Sequence, residues 1–215
     1  MRTIHRSVLL FVLPLLAGSF SACSLLPPRA HVPTTYDFGP SPKLATTPPL
    51  AGLVFLGFRA VPWLSGTGIH YRLLYRQAQE LRRYGGKTWL ASPGSLMASR
   101  LASEFAVLGL PSRPRYTLSL RLVTFEQDFS SPKSADDRLG VIAVLRRPLR
   151  ADWQVSHDFR LTRKTPPTAG GAIRGFAVLD DRFNRQLIRW IEREINGRGT
   201  GKPSAFDDVD RKPPA

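Results

Sequence analysis

Pro62-Trp63-Leu64-Ser65-Gly66-Thr67-Gly68-Ile69-His70-Tyr71-Arg72 is a turn rich in Ser, Gly and Thr, set between two apolar runs. Clusters of that kind punctuate strands rather than helices. Upstream lies Leu53-Val54-Phe55-Leu56-Gly57-Phe58, apolar on both faces of a strand spanning Leu50 to Ala60, which predicts a central position in a sheet. Downstream, Ile69 to Arg76 reads as a second strand. Residues Gln77 to Lys87, polar and containing Gly85-Gly86, read as a loop or frayed turn, with a short strand from Thr88 to Ala91.

Ser92-Pro93 then signals a helix start, because Ser can cap free amide donors and Pro suits the first helical position. Met97, Leu101, Phe105 and Leu108 share one helical face, and Gly109, Pro111 and Pro114 end it. Tyr116, Leu118, Leu120 and Leu122 alternate with Thr117, Ser119 and Arg121, the pattern of a half-buried strand running to Phe129. Ser130 to Asp137 reads as a polar loop, Leu139 to Leu145 as a strand, and Arg146 to Asp152 as a turn. Trp153, Val155, Phe159 and Leu161 alternate with polar residues. Three strands with short links make an antiparallel meander. After a loop at Pro166 to Gly171, the residues Ile173, Phe176, Phe183, Leu187, Trp190, Ile191 and Ile195 recur at helical spacing, and Asn196-Gly197 is the stop.

The chain has 215 residues, enough for one domain with a real core plus tails. Its formal charge is +15, and 25 of its 31 basic residues are arginine. Such a balance favours anionic partners: nucleic acid, an acidic protein or lipid headgroups. The amino terminus bears on that choice. Arg2 and Arg6 precede an apolar run from Val8 to Leu16, then small residues to Ala22, as in a secretory signal. The run is shorter than the roughly 20 residues a membrane span needs. Export separates the protein from chromosomal DNA and cellular RNA, so no nucleic-acid partner is expected.

Cys23 is the one cysteine, so no intrachain disulfide forms. Placed after Phe20-Ser21-Ala22, it resembles the lipobox of bacterial lipoproteins. The resemblance implies cleavage before Cys23, a thioether-linked diacylglycerol, and acylation (palmitate class) of the new amino terminus. Two or more acyl chains anchor a protein stably where one does so marginally. Ser24, in place of the Asp that retains lipoproteins at the inner membrane, implies the periplasmic face of the outer membrane. The expected organisation is a signal peptide (1–22), the lipidated Cys and an extended Pro-rich tether (23–34), a folded domain (35–196) and a disordered tail (197–215). At roughly 3.1 Å per residue the tether reaches about 34 Å.

Catalytic chemistry is hard to assemble from what remains. His70 lies on a strand, and His157 falls on an apolar register, which reads as a core histidine. No metal-ligand spacing, nucleophile elbow or phosphate loop occurs, and Gly66-x-Gly68 lacks a third glycine. Asp136-Asp137 and Asp180-Asp181 are adjacent pairs, one in a loop and one in a helix, and helical neighbours do not face each other. No enzyme, metal or cofactor is expected. Trp63, Tyr71, Arg72 and Trp89 are the candidate partner-binding residues, since aromatic residues and Arg dominate binding hot spots. The alternative is that both Trp residues close the core. Arg182, Arg185, Arg189 and Arg193 form a basic stripe on the second helix, the wet face of a core helix or a membrane-facing one.

The lipobox, Tyr36-Asp37-Phe38-Gly39, the block from Pro62 to Arg72, and Trp89 with Pro93, Leu96 and Arg100-Leu101 together resemble the ABC-type transport auxiliary lipoprotein (PqiC-like) family. The likeness spans Tyr36 to Ile195; where the family often carries an acidic residue in the turn, this chain has Ser65. The resemblance implies an α+β domain with two helices packed on one face of a mostly antiparallel sheet. It also implies a non-enzymatic adaptor for an MCE-domain protein of an ABC transport system, moving lipids between inner and outer membranes. Self-assembly into a homo-oligomer is compatible with that role. The alternative is a periplasmic carrier that itself holds a lipid between sheet and helices.

Overall fold

The computed structural model describes residues 32–40, 52–106 and 114–197. Cys23, the signal segment, most of the tether, the first helix's Gly109-Pro111 stop and the tail beyond 197 lie outside them. The described elements are β1 (Thr34–Tyr36), β2 (Leu53–Ala60), a 3-10 turn (Pro62–Leu64), β3 (Gly68–Leu73), β4 (Gln77–Trp89), α1 (Pro93–Ala106), β5 (Tyr116–Ser131), β6 (Ser134–Arg147), β7 (Arg150–Thr165) and α2 (Ala169–Gly197).

β5 is the spine. Along one edge it pairs antiparallel with β6, which pairs antiparallel with β7. Its other edge is shared: β2 runs parallel to Tyr116–Leu122 and β3 runs parallel to Gln127–Phe129. β3 pairs antiparallel with β4, and β1 adds a parallel edge to β4. The long ladders are antiparallel, as expected, with three shorter parallel contacts. Both helices cover one face, giving the α+β architecture. Phe55 of β2 meets Phe105 of α1 at 5.8 Å, and Phe125 of β5 stacks on Phe176 of α2 at 3.9 Å. The buried hydrophobic residues among the described ones run from Phe38 to Ile191, all within one compact unit beginning at Pro33. No helix among the described residues is long and apolar enough to cross a membrane.

Several expectations need correcting. Gln77 to Lys87 is strand, not loop: its backbone pairs with β3 and β1, and pairing rather than side-chain alternation holds it. β2 is not central; among the described residues it pairs with β5 alone, and Leu56 is 61% exposed. The link between β5 and β6 is only Pro132-Lys133, so Asp136 and Asp137 lie in β6. β6 and β7 close around Pro148-Leu149, and α2 starts at Ala169. His157 is exposed rather than core, although Val155 and Phe159 beside it on the same face are buried; its ring stacks at 5.8 Å on Trp190.

Two glycines explain why α2 begins as it does. Thr168 caps the helix, accepting the Gly171 amide on Oγ1 at 3.0 Å. A Cβ at Gly171 would collide with the Pro166 carbonyl oxygen, so that turn closes only on glycine. Gly175, one turn on, lies directly against Asp137 of β6.

Candidate functional site

The Pro62–Leu64 turn is tied by short local bonds. The Leu64 amide donates to Val61 O at 2.9 Å, and the Ser65 hydroxyl donates to Pro62 O at 2.6 Å. The Val61 amide donates to Leu122 O of β5 at 3.1 Å, fixing the turn to the sheet. Leu64 is thereby driven into the core at 1% exposure while Trp63 stands 59% exposed. On the far side, the Trp89 amide and the Thr88 hydroxyl both donate to Thr67 O at 2.8 Å.

Trp89 is 1% exposed, edge-on to Phe38 at 5.3 Å and Phe176 at 6.2 Å. It offers a partner no surface, and its place is in the core. Tyr71 and Arg72 are half-buried neighbours on a strand, which point to opposite faces of the sheet. Tyr71 packs towards the helices, its ring 4.6 Å from that of Tyr84 and 5.7 Å from that of Phe129. Arg72 lies on the other face. Its Nε donates to Glu126 Oε1 at 2.8 Å, and its Nη1 donates to the carbonyls of Ala78 and Gln79 at 3.2 Å each. The guanidinium thus staples β3 to β5 and to the start of β4. The four residues do not form one patch, and Trp63 is the member left to present a side chain.

The structure also reveals a buried polar row. The Tyr84 hydroxyl donates to Gln127 Oε1 at 2.6 Å; Gln127 Nε2 donates to Thr165 Oγ1 at 2.8 Å; Thr165 donates to Asp137 Oδ1 at 3.0 Å. Asp137 is fully buried and its Oδ2 has no partner. Burial raises its pKa to about 7, against the lowering effect of the Thr165 and Gln127 hydrogen bonds. The row ties β4, β5, β6 and β7 together, and α2 seats on it through Gly175 against Asp137. Its sequence signal was the glycine inside the helical pattern, whose counterpart on β6 only the register reveals.

The sign of the pH effect follows. Between the unfolded value near 3.9 and the folded value of about 7, the native state holds a proton that the unfolded state has released. Stability therefore falls as pH rises through that window. Asp137→Asn removes the buried charge but keeps an acceptor for Thr165. We expect its thermal midpoint to exceed wild type at pH 8 and to match it near pH 5. A variant equally destabilised at both pH values would mean that the carboxylate is not held as described.

His70 is half-buried, with Nδ1 unpartnered, and burial lowers its pKa. Among the described residues, no group of three or more His, Cys, Asp or Glu is placed to hold a metal ion. A surface recess of about 440 Å³ opens between the segment after β1 and α2, lined among others by Tyr36, Phe38, Leu90, Ile173 and Ala177.

No family model matches the sequence, and neither does any curated protein. Similar solved structures exist. A Xanthomonas campestris protein assigned to the family DUF330 aligns at 18% identity and TM-score 0.59, covering 78% of this chain and 98% of its own. An uncharacterised protein aligns at 13% identity and TM-score 0.54, over 74% of this chain and 99% of its own. A Caulobacter crescentus protein provisionally described as a lipoprotein reaches a TM-score of 0.33 over 52% of this chain, too slight a likeness to carry an argument. The first two likenesses establish a shared fold.

Proposed function

We propose that the chain is a lipid-anchored envelope protein, held through Cys23 at the periplasmic face of the outer membrane. In this reading it serves as a non-enzymatic adaptor for an MCE-domain protein of an ABC transport system that moves lipid between the two membranes. The observation that carries the anchor is the placement of the chain's one cysteine directly after the apolar run and Phe20-Ser21-Ala22. The sheet-and-two-helix architecture, shared with the DUF330 protein, agrees with what the family resemblance implies. Exposed Trp63 on its fastened turn is the side chain best placed to engage a partner.

The carrier alternative has less behind it. Phe125, Phe176, Phe183 and Trp89 are fully buried between sheet and helices, filling the space a lipid would need there.

Changing Cys23 to Ser tests the anchor. The wild-type chain should fractionate with envelope vesicles and label with palmitate, while the variant accumulates as a slower-migrating precursor without label. An unlabelled wild type, or a variant that fractionates and migrates unchanged, would overturn the anchor. For the adaptor, a photo-crosslinker at Trp63 should capture the MCE-domain protein. Failure there, with success for a lipid co-purifying in native mass spectrometry of Pro33–Ala215, would favour the carrier.

A further inference from the structure

The sheet face opposite the helices carries a pair of arginines that no described residue balances. β2 and β5 run parallel with Arg59 directly beside Arg121, on strands about 4.8 Å apart. Both are exposed, and neither makes an ion pair or hydrogen bond among the described residues. Three other cations on this face have partners, Arg72 with Glu126 at 2.8 Å, Arg138 with Asp128 at 3.2 Å and Arg160 with Asp158 at 2.7 Å, while exposed Lys164 stands beside Asp136 without a bond to it. Like charges set opposite each other on neighbouring strands are destabilising. The pair is kept without any compensating bond among the described residues.

Its surroundings are apolar as well as charged. Ile142 lies beside Arg121 across β6, and Val144 lies beside Ser119 one step along. At the β2 bulge, Leu56 is 61% exposed and Gly57, at φ +127°, leaves open space where a side chain would stand. We infer that the Arg59–Arg121 pair is a docking site for the phosphates of an anionic lipid surface, with Leu56 as its apolar contact. Guanidinium matches phosphate geometry by bidentate hydrogen bonding, and the formal +12 charge carried from Pro33 onward draws the domain to such a surface. A second copy of the chain is a poor occupant, because a self-complementary contact would press the same cations together. Free phosphate is a poor one too, because both arginines stand exposed on the sheet face rather than buried around an ion. The site goes beyond the adaptor reading and does not depend on acylation of Cys23.

The test uses Pro33–Ala215, which lacks the apolar leader and the cysteine, in flotation with phosphatidylglycerol–phosphatidylcholine vesicles and with pure phosphatidylcholine vesicles. We expect binding to the first, none to the second, and loss at high salt. Arg59→Gln/Arg121→Gln should weaken binding about tenfold or more, since each basic residue near an anionic surface contributes about 1 kcal/mol. Removing the same charge from α2 with Arg189→Gln/Arg193→Gln should change it less than about threefold. The sheet-face variant should melt no lower than wild type, because a repulsive pair is gone; if the double variant is unfolded, Arg59→Gln alone should still show about a fivefold loss. Absence of binding to the anionic vesicles, equal loss in the α2 variant, or displacement by inorganic phosphate with binding of phosphate alone would each overturn the inference. So would binding of a polyglutamate probe in preference to the vesicles.

Discussion

Gly175→Ala is expected to destabilise the domain by about 3 kcal/mol or more, lowering its thermal midpoint by about 6–12 °C. Helix interiors usually gain from that exchange, since Ala outranks Gly by about 1 kcal/mol in propensity. Here the sign reverses because of where α2 lies. An added Cβ would collide with Asp137 Oδ2, stand 2.5 Å from Thr165 Cγ2 and 2.9 Å from Asp137 Cγ. Asp137 and Thr165 are buried, bonded to each other at 3.0 Å, and Thr165 is bonded to Gln127 at 2.8 Å, so the obstacle cannot swing away without breaking that row. The helix must lift instead, and with it Phe176 leaves its stack on Phe125. Asp137→Ala in the same chain opens the space, so the double variant should be clearly less destabilised than the sum of the single changes. Thermal unfolding of the four chains checks this. A Gly175→Ala variant as stable as wild type would mean that α2 does not seat on β6 in the described way.

The same contact shows why parts of the fold were legible in the sequence and parts were not. Apolar spacing places α2 and the strands β5 and β7, because each buries one regular face: Phe176, Phe183 and Leu187 in the helix, Leu118, Leu120 and Leu122 in the strand. β4 carries no such alternation. It is a strand because β3 and β1 supply hydrogen bonds on its two edges, a non-local property that Gly85-Gly86 disguises as a loop. Asp136-Asp137 misleads for a related reason. Asp137 looks like turn chemistry, yet it faces inward where Gly175 leaves room and Thr165 supplies a donor. At the candidate site, Trp63 and Trp89 look alike in sequence. Their fates are opposite because Leu64, not Trp63, fills the core under the turn, while Trp89 closes the ring of Phe38, Phe125 and Phe176. The Arg59–Arg121 pair was invisible, since the residues are 62 positions apart and meet through strand register alone.

Arg100→Leu is the second large effect, and its size should depend on pH. Arg100 Nη1 lies 2.8 Å from Asp180 Oδ2, and its Nη2 lies 3.0 Å from Asp181 Oδ1. The same guanidinium donates to Pro40 O at 3.3 Å and sits 5.9 Å over the Phe38 ring, joining α1, α2 and the segment after β1. Asp180 is fully buried, and burial raises its pKa to about 7 despite the opposing charge and hydrogen bond of Arg100. Deleting the cation removes that opposition and leaves a buried carboxylate unpaired, a change that typically costs about 3–5 kcal/mol. The carboxyl can escape by taking up a proton, which its native state then binds more tightly than the unfolded chain does. Stability of the variant should therefore fall as pH rises, and over a window reaching above the wild-type value of about 7. Urea unfolding at pH 8 should show a loss larger than at pH 5 by about 1 kcal/mol, growing further with pH until the variant's own carboxyl ionises. At pH 5, where Asp180 is already neutral in both chains, the loss should shrink to about 1–2 kcal/mol of missing hydrogen bonds and packing. Adding Asp180→Asn to Arg100→Leu should recover most of the difference at pH 8 and little at pH 5. Equal losses at the two pH values would show that the carboxylate is solvated in the native state, and that the two helices are not joined through a buried charge.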